Sequence, residues 1–238
     1  MDPCMRHSVH SIFFDQADAH EAAERWHKAL ELLYQVHRWA AEDPALWRRM
    51  GLLSFLMADR EWLERAALEG THVGDMGAIN ADLYLARAAE LAPADPRGPF
   101  WRGWVRHQLY QDPAGAKAHL AEAVRRDPAW PYAHAALARV EVAEAEAGYA
   151  LRALAHVEAA LARLPESARF HYDMGACLAG LGEDDAAREA FERALAMPAL
   201  PVSAGTEGRV LAASFHGDGE ALRPLVTRLY AGILGPTP

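Results

Sequence analysis

The chain has 238 residues, 52% of them hydrophobic and 24% charged, which excludes a disordered chain and supplies material for a sizeable core. A formal net charge of −9 argues against the basic face that a nucleic-acid partner requires. Two cysteines are too few for a disulfide framework, and no run of about 18 apolar residues offers a membrane span.

Residues 1–14 lack an apolar stretch behind a basic start, so they do not read as a signal peptide and are expected to form a flexible tail. His7 and His10 would share one side of a helix there, but no carboxylate or thiol completes a metal set. Cys4 falls in this tail and Cys177 within a helical pattern of small apolar residues, which suits a reducing, cytoplasmic setting. The heavy use of Ala, Arg and Gly suits a high-GC bacterium.

Residues 15–77 read as helical but irregular. Asp15 to Ala41 is expected as one long amphipathic helix that stops at Glu42-Asp43-Pro44. Trp47, Met50 and Gly51 follow in a first-helix pattern, whereas Leu63, Ala67 and Gly70 make a poor second helix, so the pairing stays open. Gly70 to Gly77 reads as a long loop.

From residue 78 to 200 one signature recurs: two alanines with a larger apolar residue between them, then a proline. It runs Ala81, Leu85, Ala88, Pro93, then Ala116, Leu120, Ala123, Pro128, then Ala153, Val157, Ala160, Pro165. The fourth copy is Ala187, Phe191, Ala194, with Pro198 one residue early, and the copies start 35, 37 and 34 residues apart. Steps of four and three residues put the three side chains on one helix face. Small alanines there let a second helix approach, the middle residue fills the space between, and proline ends the rod. The intervening segments Phe100–Tyr110 and Tyr132–Ala147 carry apolar residues at helical intervals, with Asp95-Pro96, Asp112-Pro113 and Asp127-Pro128 as acidic caps before first-turn prolines. No stretch alternates as a strand would. The C-terminal segment 206–234 offers two helices split by Gly217-Asp218-Gly219, suited to capping an array, and the whole amounts to about twelve helices.

On these residues the chain resembles the tetratricopeptide repeat (TPR) family. The unit Ala168–Leu200 fits best, with Met174, Gly175 and Leu178 in the first helix, the turn Gly180-Leu181-Gly182-Glu183, and Ala187, Phe191 and Ala194 in the second. His171 stands where the family often has Trp, and the unit Pro131–Pro165 carries about three extra residues, expected to lengthen its first helix by most of a turn. The resemblance implies an all-α fold, an α-solenoid of antiparallel helix pairs wound as a right-handed superhelix.

It also implies a function. In this family the first helices line the concave groove, which places Trp101, Arg102, Tyr132, Arg139, Arg169, Tyr172 and Asp173 there. Arginines with aromatic neighbours suit an extended, acidic peptide or a helix of another protein, because Arg forks onto carboxylate and rings supply rigid contact area. Equally, Trp101 and Tyr132 at helical spacing are expected of core packing, with the arginines solvated. The Lys and Asn with which some family members grip a chaperone's terminal carboxylate are missing: Trp101, Val105, Ala135, Ala136, Tyr172 and Ala176 stand at those positions. No phosphate loop, nucleophile elbow or zinc motif is present, so no enzyme, cofactor or metal is expected. The expected role is an adaptor or scaffold for a protein partner. A self-assembling repeat protein, with Trp39, Trp47 and Trp62 in its irregular region as a contact patch, and a helical domain sensing a small ligand are the alternatives.

Overall fold

A computed structural model describes residues 3–58 and 76–229, with side chains from Ile12 to Ala58 and from Asn80 to Leu229. The Leu63–Gly70 segment, the Gly70–Gly77 loop up to residue 75, Trp62, the side chains of Cys4, His7 and His10, and residues 230–234 lie outside that description. Among the described residues there are twelve helices and no strand. They fall into two compact units, residues 1–111 with 204–210, and residues 112–203 with 211–238.

The first unit holds α1 (Pro3–Ala22), α2 (Trp26–Val36), α3 (Pro44–Met57), α4 (Met76–Leu91) and α5 (Arg97–Leu109). Two expectations are corrected here. The helix starts at Pro3, within the stretch 1–14 read as a tail. The single helix expected over 15–41 is broken at Ala23–Arg25, where Glu24 takes a φ of 54° and Arg25 N–H bonds back to the His20 carbonyl. The reversal has a packing cause: it lets Ala17 of α1 meet Trp26, Ala29 and Leu33 of α2 in one buried cluster.

Asp43 caps α3 by accepting from Ala45 N–H at 2.8 Å, with Pro44 as its first residue. The partner of α3 is α4, across eighteen intervening residues (76 − 57 − 1). A Cβ on Gly51 would lie 2.6 Å from Leu85 Cγ and 3.3 Å from the Ala81 carbonyl, so only glycine lets these helices close to this distance. The pairing of α3, open in the sequence, is thus with α4 among the described residues.

The second unit holds α6 (Pro113–Arg126), α7 (Pro131–Glu144), α8 (Tyr149–Leu161), α9 (Ala168–Gly180) and α10 (Asp184–Ala196). Consecutive members pack from α7 to α10, and α6 packs on α7. Two further helices follow, α11 (Gly205–Phe215), inside which the boundary between the units falls, and α12 (Gly219–Leu229), which packs on α9 and α10. The recurring signature behaves as its spacing requires: its eight alanines and four larger apolar side chains, from Ala81 to Ala194, are 3% exposed or less. Burying each of the larger ones contributes about 1.5–3 kcal/mol.

The three extra residues of the unit 131–165 do not add most of a turn to its first helix. α7 has 14 residues against 13 in α9, because Ala145 adopts the left-handed conformation (φ 49°) and bonds back to the Glu141 carbonyl. The rest of the insertion goes into the turn Ala145–Gly148 and the start of α8. Glu141 itself, 3% exposed, is held by Lys117 at 2.9 Å and Arg152 at 2.7 Å, tying α6, α7 and α8 together. Burial works against its charge, but these two cations hold its carboxyl below the usual range. Asp127, expected to cap a helix, instead accepts from Ala129 N–H in the turn before Pro131.

One position repeats with a common role. Trp47 Nε1 donates to the Ala41 carbonyl at 2.7 Å, His134 Nε2 to the Pro128 carbonyl at 3.1 Å and His171 Nε2 to the Pro165 carbonyl at 2.9 Å. Each ring sits fourth in a first helix and ties down a carbonyl six residues earlier, which explains why histidine serves where tryptophan is usual: both offer a flat ring with one N–H. Because His134 Nε2 carries its proton, its Nδ1 accepts from His156 Nδ1 at 3.1 Å.

That pair makes stability depend on pH. Burial first, then His134 and Lys117, depress the His156 pKa below 6.5 against an opposing pull from Glu141, and burial does the same at His216. Below pH 6.5 the unfolded chain binds protons that these folded rings refuse. Their contribution is therefore full above pH 6.5, declines as the pH falls below it, and levels off once the folded rings protonate. The urea midpoint should drop between pH 7 and pH 5.5, and less steeply in His156→Gln. Equal slopes in the two proteins would contradict the assignment.

Candidate functional site

Four of the side chains singled out in the sequence, Arg139, Arg169, Tyr172 and Asp173, come together in the second unit, with Tyr132 further along the α7 face. Tyr132 and Arg139 lie seven residues apart on α7, hence on one face, and Arg169, Tyr172 and Asp173 form the first turns of α9. Ser167 starts α9 by accepting from Phe170 N–H at 3.3 Å, which sets these side chains in place.

Asp173 is the hub. Arg139 donates to its Oδ2 from Nε at 3.0 Å and from Nη2 at 2.9 Å, and Arg169 Nε donates to its Oδ1 at 3.3 Å. Burial pulls the Arg139 pKa down and Asp173 opposes that pull, the bonded carboxylate supplying the counter-charge that a nearly buried guanidinium needs. The Arg169 guanidinium lies 5.2 Å from the Tyr172 ring centroid. Burial raises the Tyr172 pKa, against the pull of the nearby Arg169, so its hydroxyl stays neutral.

These groups line a cavity of about 220 Å³ whose remaining walls are Ala138, Val142, Val157, Ala176 and Cys177. Two guanidiniums, one carboxylate and the Tyr172 ring stand on an otherwise apolar lining. Burial, with Asp173 adding, pushes the Cys177 thiol up to about 12, so it offers no thiolate. Among the described residues no group of three or more His, Cys, Asp or Glu could hold a metal ion. No described helix is long and apolar enough to cross a membrane.

The same face carries an occupant that sequence reasoning did not foresee. Arg139 Nη1 donates to the Ser214 carbonyl at 2.6 Å, and the guanidinium stands 4.7 Å from the Phe215 ring centroid. The Tyr132 hydroxyl pairs with His216 Nε2 at 2.8 Å, and its ring meets Phe170 and Phe215 at centroid distances of 6.2 and 5.7 Å. An aromatic residue closing a helix just before Gly-Asp-Gly was the only sign in the sequence.

Trp101 and Arg102 lie in the first unit. Trp101 is fully buried and its indole N–H donates to Glu207 Oε1 at 2.8 Å, while Arg102 pairs with Asp82 of α4 at 3.0 Å. Arg48 and Arg97 also approach Glu207, at 3.5 and 3.8 Å, and both reach Asp95. Burial disfavours the Asp95 charge, but the hydrogen bonds and charges of Arg97 and Arg48 hold its carboxyl below the usual range. Arg97 and Glu207 were not singled out in the sequence, because they fall outside the register in which the groove was read.

No protein-family model and no curated protein sequence matches the chain. Solved structures do. MamA residues 41 to the end, from Desulfovibrio magneticus RS-1, superposes with a TM-score of 0.59 at 17% identity, covering 78% of this chain and 92% of that one. A second MamA structure superposes with a TM-score of 0.56 at 16% identity, covering 86% and 94%. YrrB, described as a TPR protein with an unusual peptide-binding site, gives 0.52 at 15% identity over 77% and 83%. At these identities the likeness is one of fold, and it agrees with the buried alanine signature: the chain has the all-α, paired-helix fold of the tetratricopeptide repeat proteins.

Proposed function

We propose that the protein is an interaction scaffold that takes a segment of a partner protein on the face formed by α7 and α9. The observation that carries this reading is the Arg139–Asp173–Arg169 cluster beside an apolar cavity. Its two guanidiniums suit an acidic side chain, and the cavity has room for a small apolar one next to it. YrrB, a TPR protein with a peptide-binding site, supports the role by analogy of fold alone. The repeats of residues 78–200 supply the frame for that face.

The exposed Val142 on the cavity rim is the place for a photo-crosslinking residue. Partner adducts should form there in cells of the native source and fall about tenfold in Arg169→Gln, since a hydrogen bond to a charged group contributes about 1.5–3 kcal/mol. The melting temperature should move by only a few degrees. Equal adduct yield in the two proteins, or no adduct in either, would remove this face as the binding site.

A further inference from the structure

The α7 face of the second unit holds a peptide segment that belongs to the chain itself. Ser214 offers its carbonyl to Arg139, Phe215 packs its ring against the Arg139 guanidinium and the Tyr132 ring, and His216 pairs with the Tyr132 hydroxyl. We infer that Tyr132, Arg139 and Phe170 form a seat for an aromatic side chain at the end of a partner's helix, and that Ser214-Phe215-His216 is the resident ligand the partner displaces. The inference rests on the scaffold reading above and adds the chemistry of the ligand.

Two observations separate this contact from ordinary repeat packing. The segment is held by a main-chain carbonyl, a ring between a cation and an aromatic face, and a hydroxyl–imidazole bond. Those are the means by which a receptor reads a peptide. The seat would also survive the departure of its occupant. Arg139 keeps two bonds to Asp173 while its Nη1 donates to an incoming carbonyl oxygen in place of that of Ser214, and the Tyr132 ring keeps Phe170. A binding site already in its bound geometry saves the cost of ordering it.

The chemistry of the resident segment states what fits: a helix terminus with a Phe-like ring, followed by a side chain able to pair with a phenol. A tethered ligand acts at an effective concentration on the order of millimolar, so it masks the seat from a free peptide until weakened.

The test uses the full chain and a fluorescent peptide of residues 209–218. The peptide should bind Phe215→Ala at least tenfold more tightly than wild type, and an otherwise identical peptide with alanine for Phe215 should bind neither. His216→Ala, which leaves the ring in place, should give a smaller gain of about two- to fivefold and serves if Phe215→Ala fails to fold. Hydrogen exchange in wild type should show amides 211–215 opening at least tenfold faster than those of α7 and α9. The inference is overturned if the peptide binds no folded variant better than wild type, or if amides 211–215 exchange only with the whole unit. Failure here with Arg169-dependent crosslinking at Val142 intact would remove the resident ligand and leave the scaffold. The reverse outcome would remove the scaffold and leave an intramolecular latch.

Discussion

Phe191→Ala should lower the unfolding free energy of the second unit by about 3–5 kcal/mol, the range for emptying a fully buried phenylalanine site. The ring occupies the middle of the last signature copy, packs beside Tyr172 at a centroid distance of 5.7 Å, and fills the space left by the missing side chain of Gly175. A Cβ on Gly175 would lie 2.6 Å from its Cε1 and 2.7 Å from its Cδ1, so glycine and phenylalanine act as one complementary pair. Gly175→Ala alone gains about 1 kcal/mol of helix propensity and meets an overpacking cost of about 1–3 kcal/mol, for a net loss. Placed in Phe191→Leu, the same alanine should cost less than in wild type, the coupling expected of side chains that share one space. Urea unfolding followed by circular dichroism gives the totals. Hydrogen exchange in α9 and α10 shows whether the loss is local, as a stack of neighbour-only contacts demands. A loss below about 1.5 kcal/mol for Phe191→Ala would mean that the ring is not the support described.

Gly219→Val should detach α12. A Cβ at this position would stand 1.9 Å from the Leu195 carbonyl oxygen and 2.5 Å from its carbon, and what it meets is the backbone of α10, which has no rotamer to yield. Gly219 N–H also donates to the Met197 carbonyl at 3.2 Å, a bond that requires the same close approach. Once the helix start is pushed away, Leu222 and Val226, now 2% and 3% exposed, lose their cover at about 1.5–3 kcal/mol each. The expected result is loss of exchange protection throughout α12 and faster tryptic cleavage after Arg228, with α3 and α4 unchanged. Wild-type protection in α12 would show that the two backbones are not in contact.

Some of this was legible in advance for a physical reason. A ladder of Ala, large apolar and Ala needs only local spacing to declare a helix face, so the positions Ala81 to Ala194 were readable and their burial follows. The ends of helices were less so. α1 and α2 separate at Glu24 with neither Gly nor Pro beside it, and α7 ends on Ala145 in a conformation that alanine rarely adopts. In both places packing overrides local preference. The α3–α4 pairing was illegible because its two halves are far apart along the chain. At the candidate site, Arg139, Arg169 and Asp173 were readable as one face because they inherit the register of α7 and α9. Phe215 and Glu207 were not, since their partners are distant in sequence and nothing periodic links them.

The pairing of α3 with α4 carries a further consequence. Its tightest point is Gly51 against Leu85 and the Ala81 carbonyl, where one added methyl would drive the two helices apart. A chain cleaved between Met57 and Met76 should still elute as one particle, because that contact lies outside the cut, and its halves should part only in denaturant.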